Sequence, residues 1–249
     1  MALSHFTLLE LFSGTGSVEK VAKQLGYAEV ISLDNDPSRR PTISTDIMSW
    51  DYKAYPSGYF NVIWASPPCT YYSSLQYNVR HHKDRKGIHY DLEALRQGSD
   101  QIISRVLEII DYFKPQYWIM ENPWSGALKS RAVVNGLPYI DADYCQYGYP
   151  YRKRTRFWTN RLIQLKLCNH DCAYSSGRRH TIILSHHKKA EYGSNVDVHK
   201  DYGFKNGKDM RYSIPAPLLS ELLPHPRIKV NIKLRSSGML SIFTKQNSH

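Results

Sequence analysis

The sharpest chemical feature of the sequence is a cysteine set behind two prolines. Asn61-Val62-Ile63-Trp64-Ala65 has the composition of a buried strand, and Pro67-Pro68-Cys69 stops it. Such an arrangement holds a thiol rigidly at a strand's carboxyl end. A helix starting within Thr70-Tyr71-Tyr72-Ser73 would lower the thiol pKa through its N-terminus. Taken alone, a cysteine of this kind is more often buried and inert. A second apolar run, Tyr117-Trp118-Ile119-Met120, closes on Glu121-Asn122-Pro123 and so sets a carboxylate at a comparable position. Thiol and carboxylate together suit covalent catalysis, the first adding to an electrophilic carbon and the second giving or taking a proton. A third cluster runs from Tyr147 to Trp158, where Arg154 and Arg156 share a face if the segment is extended. Two guanidinium groups on one face suit a phosphate or a base carbonyl oxygen, although a solvated basic edge has the same look.

A further set of residues could hold a cofactor. Phe12-Ser13-Gly14-Thr15-Gly16-Ser17 joins an apolar run to a helical pattern. Glycines there allow a tight turn and a close backbone approach, and the helix N-terminus attracts an anionic group. About twenty residues on, Asp34 ends another strand-like run, where a carboxylate can take both ribose hydroxyls of a nucleoside. Asp46-Ile47 would end the next element, with Asp46 placed to accept from an adenine amino group. Each is a weak signal alone; three in order point to an adenosine-containing cofactor.

The elements that must position these groups alternate between strand and helix. Strands are expected at Phe6–Leu11, Val30–Leu33, Asn61–Ala65 and Tyr117–Met120, with helices at Val18–Leu25 and around Ile102, Ile103, Val106, Ile109 and Ile110. This pattern predicts an α/β fold with a doubly wound, mostly parallel sheet, whose ligands bind beyond the strands' carboxyl ends. Past Tyr151 the pattern turns irregular. Thr181-Ile182-Ile183-Leu184 is the clear strand there, Pro217–Leu223 reads as a short amphipathic helix, and the tail beyond Ser236 is expected to fray.

Composition narrows the class. The 249 residues are 41% hydrophobic and 22% charged, which excludes a wholly disordered chain. No apolar run reaches the roughly 18–20 residues of a membrane span. The first twelve residues do not make a signal peptide, and four cysteines in this length are no disulfide framework. An intracellular, cytoplasmic monomer is expected, or a nuclear one in a eukaryotic setting. The net charge is +11, and its distribution is uneven: residues 1–150 carry 14 Lys+Arg against 16 Asp+Glu, residues 151–249 carry 19 against 6. A basic C-terminal part on a near-neutral N-terminal part suggests a polyanion partner.

Phe12-Ser13-Gly14-Thr15-Gly16, Asp34, Asp46, Pro68-Cys69, Glu121-Asn122 and Arg154-x-Arg156 occur in an order and spacing that resembles the cytosine-C5 DNA methyltransferase family, over roughly residues 6–160. The compactness looks like that of phage and large-DNA-virus members. The resemblance implies a Rossmann-like fold that uses S-adenosylmethionine on a flipped-out cytosine of double-stranded DNA. Phe12 would pack on adenine, Asp34 would bind the ribose and Asp46 the adenine amino group, with Gly14, Thr15, Gly16, Ile47 and Pro68 around the cofactor. Cys69 would be the nucleophile at C6, Glu121 would contact N3, and Arg154 or Arg156 would hold O2. The sequence departs from the family in having Pro123 where Val is usual, and Tyr151 near the place of a Gln with an apparent one-residue insertion. Arg211-Tyr212-Ser213-Ile214-Pro215 is a weak match to the family's last motif.

The expected organisation is a catalytic and cofactor domain over 1–160, a small recognition region over 161–210, and a segment over 211–249 that returns to the first. Ser73, Arg80, Lys83, Arg152, Arg178, Arg179, Lys188 and Lys189 are the candidate nucleic-acid contacts, with Arg80 to Lys86 as a loop that closes over DNA. Cys168-x-x-x-Cys172 with His170 and His180 raises a zinc site, but the spacing is not that of a standard knuckle and no metal is expected. Two other readings stay open: an RNA cytosine methyltransferase acting on a tRNA-like substrate, and a catalytically silent nucleic-acid binder.

Overall fold

The computed structural model describes residues 6–73, 91–180, 182 and 207–226. Its centre is a seven-stranded sheet of β1 (Thr7–Leu11), β2 (Glu29–Asp34), β3 (Ile43–Ser44), β4 (Val62–Ala65), β5 (Tyr117–Pro123), β6 (Tyr139–Asp143) and β7 (Arg154–Thr159), in the order β3-β2-β1-β4-β5-β7-β6. The first five strands pair in parallel; β7 runs antiparallel between β5 and β6. The strands expected at the four apolar runs are present. Two-residue β3 and the partly polar β6 carry little periodicity and were not expected.

Alternation along the central strands sends side chains to two cores. Leu9, Leu11, Ile63, Ala65, Met120 and Trp158 face one side, where α2 (Leu92–Phe113) lays Ile103, Val106, Ile109 and Phe113 against them. Leu8, Val62, Trp64, Ile119 and Phe157 face the other. There α1 (Ser17–Leu25) packs with α4 (Ala216–Leu222), whose Leu218, Leu219 and Leu222 are fully buried. A short α3 (Gly207–Tyr212) precedes it. The Tyr27 hydroxyl donates to Pro224 O at 2.8 Å, which ties the late segment to the first βα unit. Among the described residues past β7, the strands are those of a two-pair hairpin, β8 (Ser175–Ser176) with β9 (Arg179–His180), and an isolated bridge joins Tyr151 to Ile182. The rest of the strand expected at 181–184 and the tail lie outside the described residues.

Strand order reverses between β1 and β4, so the crevice beyond their carboxyl ends is the expected ligand site. A buried carboxylate shapes its floor. Glu10, on β1 and 2% exposed, accepts the Glu19 N–H at 3.0 Å and so satisfies a free amide in the first turn of α1. Burial, then repulsion from Glu19 and Asp34, push its pKa to about 8 despite that hydrogen bond. The native state therefore binds a proton at Glu10 that the unfolded chain has released above its ordinary value of 4.5. Stability should be greatest below that value and fall as pH rises to about 8, by on the order of 4–5 kcal/mol. Urea titrations of the ligand-free protein across that range should show the decline. Glu10→Gln, whose amide oxygen can still accept from Glu19, should flatten most of it; an unchanged slope in that variant would remove Glu10 as the cause.

Candidate active site

A cavity of about 490 Å³ opens at the crevice. Its first wall is the β1–α1 turn. Phe12 takes a left-handed φ of 61°, Gly14 49° and Gly16 70°. For a bulky residue such as Phe12 that conformation is strained, and it persists because the turn is pinned to the end of β2. Ser13 N–H donates to Leu33 O at 3.1 Å, and Gly14 N–H donates to Asp34 Oδ2 at 2.8 Å. Phe12, Gly14, Thr15 and Asp34 line the cavity. Gly16 is the N-cap of α1 and sits behind it. Asp46 does not reach the cavity: it is exposed, and its Oδ1 accepts the Met48 N–H at 2.8 Å within its own turn. Ile47, expected beside the cofactor, is instead 3% exposed in the core under α2, because the turn after β3 points it inward.

The second wall holds the thiol. Asn122, fully buried, donates through Nδ2 to Pro67 O at 3.0 Å and pins the loop after β4. Tyr72 N–H returns to Cys69 O at 3.1 Å, and Ala127 N–H donates to Tyr72 O at 2.7 Å. Ser66, Pro67, Pro68, Cys69 and Ser73 line the cavity, and Glu121 and Pro123 face them from the end of β5. The loop is a turn, with no helix starting among residues 70–73. The expected lowering of the thiol pKa is therefore corrected. Burial, followed by the charge of Glu121, pushes Cys69 up, against the pull of Lys153. Burial likewise pushes Glu121 up, against Lys153 and Tyr144. Glu121 is 8% exposed and its Oε1 takes no hydrogen bond among the described residues, an expensive state for a buried acceptor.

The cation beside that pair is not the one expected. Arg154 and Arg156 do alternate on one face of β7, but it is the face turned away from the cavity. Arg154 donates to Asp143 at 3.1 and 2.8 Å, and Arg156 to Asp141 at 2.8 and 3.0 Å. Arg152 joins Arg154 on Asp143. Buried Asp143 would rise on desolvation, but hydrogen bonds from Arg154, the Cys168 N–H and Arg152 hold it below its ordinary value. A strand reverses its side chains at each residue, so the neighbour Lys153 points the other way and lines the cavity. Its Nζ stands 3.8 Å from Glu121 Oε1, donates to Arg211 O at 3.0 Å and lies over the Tyr144 ring. The insertion inferred near Tyr151 shifted the phase by one residue; read without it, the segment puts Lys153 in the first basic position.

The late segment completes the rim. Arg211, Tyr212 and Ile214 line the cavity, and Arg39, also lining it, pairs with Asp209 at 3.2 Å. Arg178 and Arg179 are exposed at the β8–β9 hairpin. Arg80, Lys83, Lys188 and Lys189 lie outside the described residues.

A sequence profile of the C-5 cytosine-specific DNA methylase family matches residues 6–132, just over half of the chain and both walls of the cavity. The chain belongs to this family. It is 33% identical over 229 residues to a "Probable DNA (cytosine-5)-methyltransferase" of Frog virus 3 (isolate Goorha), covering 87% of this chain and 98% of the viral one. Among solved structures it is similar to the Entamoeba histolytica methyltransferase EhMeth, with 16% identity, a TM-score of 0.46, and coverage of 65% of this chain and 56% of that one. It spans about half the length of the solved structures it matches. The sheet, with its strand order reversing between β1 and β4, is Rossmann-like. No helix among the described residues is long and apolar enough to cross a membrane.

Sequence reasoning missed Glu10, Arg39 and Lys153 in this family's cavity. Lys153 lay within the quoted basic segment and was lost to its phase. Arg39 was missed because, beside Asp36, its partner at the rim is Asp209, 170 residues later.

Proposed function

We propose that the chain methylates C5 of a flipped-out cytosine in double-stranded DNA, with S-adenosylmethionine as donor and Cys69 as covalent nucleophile. The observation that carries this reading is the juxtaposition, in one cavity, of a loop-pinned thiol and a buried carboxyl with an unsatisfied oxygen. The residues fit the cofactor: the left-handed Phe12–Gly16 turn offers backbone at close range, and Asp34 lines that end with a carboxylate that would accept ribose hydroxyls. S-adenosylmethionine supplies an electrophilic methyl group on a sulfonium centre.

The chain's own residues do the rest. Glu121, held toward its neutral form by burial, donates a proton at cytosine N3, which satisfies its orphaned oxygen. While Glu121 keeps its proton it sets no negative charge against Cys69, so the thiolate forms more readily before that proton moves to N3. The thiolate adds at C6, C5 becomes nucleophilic, and Lys153 stabilises charge at O2 with an ammonium proton not given to Arg211 O. Loss of the C5 proton after methylation expels Cys69.

Trapping tests the reading directly. A DNA duplex with 5-fluorocytosine should give a denaturation-resistant adduct that carries the cofactor's methyl group and maps to Cys69. A tRNA-like substrate should not. The reverse result would establish the RNA enzyme, and DNA binding without any adduct would establish the silent binder.

The basic C-terminal part should carry the DNA contacts through Arg178, Arg179 and the lysines beyond them. Affinity should then fall with a slope of about −4 or steeper in log K against log salt, corresponding to four or more neutralised phosphates. A slope near −1 by fluorescence anisotropy would place binding elsewhere.

A further inference from the structure

We propose that Cys145, Cys168, Cys172 and His180 bind one zinc ion as a closed, four-coordinate structural site. None of the four lines the catalytic cavity, so the inference stands apart from the methyl-transfer reading. Their ligand atoms all lie within 4.8 Å of one another, and no disulfide joins them. His180 Nε2 is 3.4 Å from both Cys168 Sγ and Cys172 Sγ. Zinc–sulfur bonds of about 2.3 Å and zinc–nitrogen bonds of about 2.0 Å give a tetrahedron with edges of roughly 3.5–3.8 Å, so the four atoms need close by only a fraction of an ångström each. Three thiols and one imidazole are a soft donor set suited to zinc, and an odd number of cysteines cannot be consumed by disulfides.

The spacing is Cys145-x22-Cys168-x3-Cys172-x7-His180, and the first ligand comes from the catalytic sheet. Cys145 follows β6 directly, in the turn Tyr144–Tyr147. A left-handed His170, φ 65°, bends the chain between Cys168 and Cys172, and the β8–β9 hairpin returns His180 to them. His170 is not a ligand; its ring packs on that of His180 with centroids 5.2 Å apart. The outer groups suit a metal centre. Ser175 Oγ lies 3.2 Å from Cys172 Sγ, and the Cys168 N–H donates to Asp143 at 2.8 Å. Three thiolates on a divalent ion leave one net negative charge, and Arg152 and Arg154 are fixed on Asp143 beside it.

The segment also needs such a clamp. Between residues 161 and 180, Leu162 is 92% and Leu167 45% exposed, and the hairpin is a ladder of two residue pairs. So small a module does not bury enough apolar surface to hold itself, and structural zinc is a common substitute for a core. The ion would fasten the start of the recognition region to the strand pair that carries Lys153.

The test is the metal content of the full-length chain, purified without chelator and without added metal. Elemental analysis should return about one zinc per chain. Mercurial titration of the thiols should release it in step with three cysteines. Replacement by cobalt should give thiolate-to-cobalt charge transfer and the intense visible bands of a tetrahedral site. C172S and H180A should each lose at least four-fifths of the zinc, while C69S keeps all of it. Wild-type protein that melts cooperatively with less than about 0.1 zinc per chain would overturn the proposal. So would a cobalt spectrum lacking thiolate charge transfer, or full retention of zinc in both C172S and H180A. Should a ligand variant not fold, the wild-type stoichiometry and cobalt spectrum still decide the matter.

Discussion

Cys69→Ser is expected to lower methyl transfer to DNA by a factor of about 10⁴ or more, while S-adenosylmethionine binding stays within about twofold of wild type. The two halves of that expectation come from different walls of the cavity. Cys69 stands on the loop after β4, pinned through Asn122 and Tyr72, whereas the backbone cradle lies on the Phe12–Gly16 turn. Serine preserves the size of the side chain, so the pinning survives, but an alkoxide is not accessible where even the thiol is pushed up by burial and by Glu121. The same pair predicts the pH profile. Productive enzyme needs Glu121 protonated, which its burial favours, and Cys69 ionised, which burial and then the charge of Glu121 oppose. A bell-shaped kcat/KM should result, with its rising limb displaced upward from the usual carboxylate range and its falling limb upward from the usual thiol range. Single-turnover transfer of labelled methyl and calorimetry with the cofactor measure both quantities. Turnover within tenfold of wild type in the serine variant would rule out the covalent route.

Lys153→Ala is the second large effect, with an expected loss of about 10²–10³ in kcat, recovered in large part by Lys153→Arg. Arg154→Ala and Arg156→Ala should change kcat by less than about fivefold and act on stability instead. The ground for the contrast is the register of β7. Arg154 and Arg156 are spent on Asp143 and Asp141 on one face, and Lys153 alone of these cations lines the cavity. Removing an ammonium that faces a buried carboxyl would leave charge developing on the base uncompensated. Removing Arg154 leaves Asp143 with Arg152 and the Cys168 N–H, a structural loss. Single-turnover rates measured beside urea unfolding separate the outcomes. If an arginine variant lost kcat while Lys153→Ala kept it, the cavity cation would have been misassigned.

The two sets of residues also show what kind of information lay in the chain. Cys69 and Glu121 were legible because each ends an apolar run, and parallel strands put such ends on one edge whatever their order. Asp34 and the Gly14 turn were legible for the same reason, and Gly14 N–H on Asp34 shows how directly adjacent βα units meet. Asp46 and Ile47 were not, because a two-residue β3 has no periodicity to say which way its following turn faces. Lys153 was misread through a one-residue phase, which in a strand exchanges every side chain between the two faces.

By itself, then, the sequence determined the alternation of buried strands and helices, the sheet edge that carries thiol, carboxyl and glycine turn, and the half of the chain that carries the basic excess. Local hydrophobic periodicity and strand-end chemistry suffice for those. Only the tertiary structure decided which face of β7 meets the cavity, that Arg39 and Arg211 close its rim, and that Cys145 joins Cys168, Cys172 and His180. Each of these depends on register or on contacts between residues far apart in the chain, and no local pattern of residue types encodes the phase at which two distant segments dock.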